Sequence, residues 1–142
     1  MIGKHVLFPL ALMLAPAPAT AREIQAGDLV VDRAWIAAPA TGEAAAYLTL
    51  FGAKGDDRLI GAETPAAARC ELRHEAAGGG AKPVDEIEVA SQETVILAPG
   101  GYRIALVDLV HPLADGAKVP VTLLFEKAGR VTVDFAVTQA AR

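Results

Sequence analysis

The 142-residue chain has the length of one domain. Its 53% hydrophobic content excludes a disordered chain, and a formal charge of −4 with no basic run excludes a nucleic-acid binder, because phosphate contacts need clustered cations. A single cysteine excludes an internal disulfide framework and any cysteine-rich metal cluster.

Residues 1–21 read as a secretory signal. Lys4 and His5 give a short positive start, Val6 to Leu14 a short apolar run, and Ala19-Thr20-Ala21 a small-residue cleavage site. The run is too short for a membrane span, which takes about 20 apolar residues. Pro9, Pro16 and Pro18 argue against a buried helix. The expectation is a chain that starts near Arg22 and is periplasmic or secreted, not membrane-spanning. Losing residues 1–21 removes Met1 and Met13, so residues 22–142 hold no methionine and two histidines, His74 and His111.

Residues 22–142 show short, strand-like periodicity. Expected strands run from Leu29 to Ile36, Ala44 to Phe51, Arg58 to Ala62, Ala68 to Glu75 and Val84 to Val89. Thr94 to Leu97, Tyr102 to Leu109, Val119 to Phe125 and Arg130 to Val137 follow. In the last run Val131, Val133, Phe135 and Val137 share one face, while Tyr47, Thr49 and Phe51 alternate with Leu48 and Leu50 in a strand buried on both sides. Turn residues separate the runs at Pro39-Ala40-Thr41-Gly42, Gly55-Asp56-Asp57, Gly78-Gly79-Gly80, Pro99-Gly100-Gly101, Asp115-Gly116 and Ala128-Gly129. Pro65 to Ala68 suits one helical turn. Eight or nine short strands without a long helical stretch predict an all-β sandwich or barrel.

Five segments in order carry a resemblance: Trp35 in Asp32-Arg33-Ala34-Trp35; Ala44 to Leu50; Asp56 to Ala62; Pro99-Gly100-Gly101-Tyr102; and Val119 to Gly129. Together they resemble the PCu(A)C periplasmic copper chaperones over residues 28–137. The resemblance implies a cupredoxin-like Greek-key β-sandwich that binds Cu(I). It implies a periplasmic or membrane-anchored partner such as the copper-site subunit of a respiratory oxidase. The family holds Cu(I) with two His and two Met, soft donors suited to a soft ion. Here the positions that the resemblance assigns to those ligands hold Arg73, Val84, Arg103 and Ala105. Arg offers no lone pair, and Val and Ala no donor at all.

His74 and Cys70 are the substitute candidates. They share a strand face but stand four residues apart, about 13 Å at strand spacing, too far to chelate one ion jointly without a bend. Cys70 also reads as a small buried apolar residue, and His111, before Pro112, as solvent-facing. Arg73 and Arg103, placed together by the resemblance, repel one another unless an anion or carboxylates intervene, with Glu71, Glu75, Asp85, Glu86 and Glu88 as candidates. That leaves ordinary surface ion pairing or an anion or docking site. No Ser-His-Asp set, phosphate loop or His cluster points to catalysis. Two functions stay open: copper trafficking through a substitute site, or a metal-free accessory or protein-interaction module on the same sandwich.

Overall fold

The structure, a computed structural model, describes residues 23–38, 43–75 and 80–139. The expected signal segment, the Pro39 to Gly42 turn and most of the glycine run lie outside the described residues. Eleven strands follow one another: β1 (Ile24–Ala26), β2 (Leu29–Ala38), β3 (Ala44–Phe51), β4 (Asp57–Glu63), β5 (Ala67–Glu75), β6 (Ala81–Pro83), β7 (Ile87–Val89), β8 (Thr94–Leu97), β9 (Tyr102–Leu109), β10 (Lys118–Phe125) and β11 (Gly129–Gln139). There is no helix among the described residues.

The strands form one sheet in the order β6-β5-β9-β3-β2-β11-β10-β4-β7, with β1 added to β2 and β8 to β3. All pairings are antiparallel except β11 with β2. The sheet curls until β4 and β5, each second from an end, lie against one another, which closes a sandwich. Alternation fills it: Leu29, Val31 and Ile36 of β2, Leu48 and Leu50 of β3, Val121 and Leu123 of β10, and Val133 and Phe135 of β11 are buried inside. Each such side chain contributes about 1.5–3 kcal/mol by leaving water.

Two expectations need correction. Pro65 and Ala66 form a turn, and Ala67 and Ala68 already belong to β5, so there is no helical turn there. The run from Val84 to Val89 is a strand only from Ile87; Pro83 lacks the N–H to continue a ladder, and a bend intervenes. The short β1 and β6 are additional.

A bulge in β2 sets up the outer face. The β2–β3 register shifts between Asp32 and Trp35, and Arg33 takes a left-handed φ of 55°. Asp32 Oδ1 accepts the Arg33 N–H at 2.8 Å. The extra residue leaves Ala34 and Ile36 inside and turns Trp35 outward, opposite Tyr47 of β3.

Candidate functional site

The outer face of β5, β9 and β3 gathers three of the four positions that the sequence resemblance assigns to ligands. Arg73 of β5 is paired directly with Arg103 of β9, and Glu71 with Ala105. Ala105 is in turn paired with Ala45 of β3. Cross-strand neighbours have Cβ atoms about 4.5–5.5 Å apart, so these side chains share one patch. Val84 does not join them. Its N–H donates to the Leu72 carbonyl at 2.9 Å, and its side chain packs against the core. The residue opposite Arg73 on that side is Pro83.

Carboxylates close the patch. Glu71 Oε1 accepts from Arg73 Nε at 3.1 Å and Nη2 at 2.9 Å, and Glu43 Oε1 accepts from Nη1 at 2.9 Å. Arg69 Nε donates to Glu71 Oε2 at 3.3 Å. Beside this network Ala105 is fully buried although its strand neighbours Ile104 and Leu106, not Ala105, belong to the core. The hydrogen bonds from Arg73, and then Arg69, hold the Glu71 carboxyl below its ordinary range against its partial desolvation. Partial burial works against the Arg73 charge, but Glu71 and Glu43 outweigh it and raise its pKa.

Arg103 is treated differently. Its Nε is buried without a hydrogen-bond partner, and it makes no ion pair among the described residues. The two internal segments outside the described residues, 39–42 and 76–79, contain no acidic residue. Tyr47 lies one step along β3 from the Ala46–Ile104 pair, and Trp35 stacks on it with ring centroids 4.9 Å apart.

His74 and Cys70 lie elsewhere. His74 is exposed at the end of β5, its ring 4.5 Å from that of Tyr102. Cys70 is paired with Leu106 and half-buried against the core. Burial, with Glu63 adding, pushes its thiol up to about 11, so little thiolate forms at neutral pH. His111 is exposed, its Nδ1 3.2 Å from the Pro112 carbonyl oxygen. Among the described residues no three His, Cys, Asp or Glu side chains converge as a metal site.

Of the acidic candidates only Glu71 meets Arg73; Glu86 and Glu88 pair with Arg58 on β4. Glu43 escapes sequence reasoning, because its contact depends on β3 lying beside β9. The one signal available is parity: Glu43, Ala45 and Tyr47 alternate with the buried Ala44, Ala46 and Leu48.

The LpqE-like lipoprotein family model matches residues 29–137. The Leifsonia xyli protein Lxx21020, named as a lipoprotein, is 33% identical over 115 residues, 78% of this chain and 69% of that protein. Among solved structures, the copper-bound PCuAC domain of PmoF2 superposes with a TM-score of 0.73 at 30% identity, covering 84% of this chain and 99% of that domain. Apo-DR1885 from Deinococcus radiodurans gives 0.63 at 27%, covering 99% and 97%. The chain belongs to the LpqE-like family and has the cupredoxin-like β fold of the copper-chaperone PCuAC domains.

Proposed function

We propose that this is an exported member of the copper-chaperone PCuAC family that does not hold Cu(I) at the family position and acts, without catalysis, as a metal-free protein-interaction module. The observation that carries this reading is the ion-pair network of Arg73, Glu71 and Glu43 beside the buried Ala105. The side chains at the family positions do not fit a cuprous ion: two are permanent cations and two have no donor atom. Thioether sulfur is absent from residues 22–142 altogether. A cuprous ion there would face Arg73 and Arg103, with only hard carboxylate oxygens already paired to Arg73 beside it.

Export, with cleavage near Ala21 into the periplasm or medium, is supported by the signal-like residues 1–21 and by the lipoprotein names of the relatives. The copper-bound relative supports the competing reading, copper trafficking to an oxidase copper-site subunit. In this chain it would have to run through His74, with Cys70 a poor second ligand because its proton is held tightly.

Titrating residues 22–142 with Cu(I) against a competing chelator tests the reading. The expected result is no competition at micromolar copper. Tight one-to-one uptake that disappears in His74→Ala would establish the trafficking reading instead.

A further inference from the structure

We propose that Arg103 is the receptor for a carboxylate of a partner protein, an Asp or Glu side chain whose apolar neighbour lies on Trp35. The proposal deepens the metal-free reading and rests on it for what the module does: it names the partner's chemistry and the face that meets it.

The two arginines set the problem. Like charges opposed across a strand pair destabilise the sheet. Arg73 is neutralised by two carboxylates, and these are spent on it. Arg103 keeps its full charge, because a guanidinium cannot shed its proton. Of its guanidinium nitrogens only Nε is buried without a partner. Arg103 as a whole is partly buried, with Nε in the sheet face and no ion-pair partner for either Nη atom among the described residues. A fork fixed in this way loses little freedom when it binds, and it matches a carboxylate with two parallel hydrogen bonds.

The surroundings select the ligand. Trp35 is large and only partly buried, and its ring lies against Tyr47 on the β3 side of Arg103. Ala37 and Ala45, paired across β2 and β3 on the same face, leave it low and flat. Trp, Tyr and Arg are the residues that dominate protein interfaces. Glu43 and Glu71 stand close by, so a doubly charged phosphate would meet two carboxylates for one free cation. A singly charged carboxylate matches the one open fork. The net charge of −4 likewise disfavours densely anionic partners such as nucleic acid or an anionic membrane.

Trp35 is the only tryptophan, so intrinsic fluorescence reads this face directly. A random heptapeptide display library is selected in parallel on the wild-type protein and on Arg103→Gln. The expected outcome is enrichment of peptides that share an Asp or Glu and shift Trp35 emission saturably. Their affinity should fall about tenfold, the size of one lost charge-assisted pair, in Arg103→Gln or when the acid is replaced by its amide. Arg130→Gln, a cation at the far end of β11 paired with Glu63, should leave it unchanged. Arg103→Lys, which keeps the charge and loses the fork, covers a failure of the glutamine variant to fold and should weaken binding in the same direction.

Selection without acidic enrichment, or the same peptides from both proteins, overturns the proposal. So does an equal, saturable Trp35 response to sodium acetate or sodium phosphate beyond a sodium chloride control, which would make this a small-anion site. Uptake of Cu(I) at His74 would sink the metal-free reading while leaving the peptide result standing, so the two failures are distinct.

Discussion

Asp57 of β4 and Arg103 of β9 are both charged groups set into the sheet, and the fold treats them in opposite ways. Asp57, the first residue of β4, is 2% exposed. Its Oδ1 accepts the backbone N–H groups of Arg58 and Lys127, each at 2.8 Å, and its Oδ2 accepts that of Ala128 at 2.9 Å. Lys127 and Ala128 form the turn between β10 and β11, so one carboxylate pins that hairpin to β4. Gly27, at a φ of 61°, closes over the same turn: a Cβ there would sit 2.9 Å from Cβ of Ala128. Nothing is left over for a ligand. Arg103 has a buried Nε with no hydrogen-bond partner and makes no ion pair among the described residues, the nearby Glu71 and Glu43 being paired with Arg73. A buried charge that the backbone satisfies is a fastening; one left open costs stability and is worth keeping only for what it binds.

Removing the fastening is the largest effect expected. Asp57→Ala strands three backbone donors at a partly buried site, and each donor left unsatisfied costs about 1–3 kcal/mol. A loss of about 3–5 kcal/mol would consume much of the 5–15 kcal/mol that holds an ordinary domain. Asp57→Asn keeps Oδ1 for Arg58 and Lys127 and loses only the acceptor for Ala128, so it should cost less than half as much. Urea unfolding measures both. If Asp57→Ala stays within about 0.5 kcal/mol of wild type, the contrast with Arg103 dissolves.

Next in size is the pH dependence of the network beside Ala105. The folded-state pKa of Glu71 is depressed by Arg73 and Arg69. Its contribution to stability is therefore fully present above the unfolded carboxyl pKa, near 4.5. It is lost as pH falls through the lower folded value, because protonation then binds the unfolded chain first. Glu71→Gln should melt a few degrees below wild type at pH 7, and the gap should close between pH 5 and pH 3. A gap that persists unchanged at low pH would mean that packing, not charge, seals the patch.

Arg103→Met should move stability the other way, and only slightly. The substitution removes a buried unpaired donor and keeps the apolar stem, which is neutral or a gain of up to about 1 kcal/mol. A loss larger than that would show that Arg103 has a structural partner and belongs with Asp57. Together with the peptide selection this separates a cation retained for binding from one retained for folding.

Much of the sandwich could be read before the structure. The bounds of β3, β8 and β9 match the expected runs, and β11 alternates as its valines and Phe135 require. Strands of three residues, β1 and β6, are too short to show a period. Pro65 to Ala68 misled because a proline that suits a first helical position suits a turn equally well. At the site, alternation put Arg103 and Ala105 on one face of β9. That Arg73 is their neighbour came from resemblance alone, since register between distant strands leaves no trace in composition. The partners of the arginines were harder still. Glu43 lies 30 residues from Arg73, and only the β3–β9 pairing brings it there. Asp57 read as a turn residue, because three backbone donors contributed by residues one and 70 or more positions away cannot be seen along a chain.

The smallest effect tests the other side of the same strand. Cys70 points inward from β5 while Glu71 and Arg73 point out, and its thiol sits at about 11 because burial disfavours the thiolate, with Glu63 adding to the penalty. At pH 8 about one molecule in a thousand then carries the reactive form, against roughly a quarter for an ordinary cysteine near 8.5. Iodoacetamide should modify the folded protein about a hundredfold more slowly than the urea-unfolded chain, and the rate should keep rising with pH beyond 9. The same proton stands in the way of a metal, since a soft cation takes the thiolate and must displace it. Alkylation at the unfolded rate would mean that the inner face of β5 opens readily, and Cys70 would return as a partner for His74 in copper binding. Slow alkylation leaves β5 closed on its core side, with Arg103 of the neighbouring strand the open charge on the outer face.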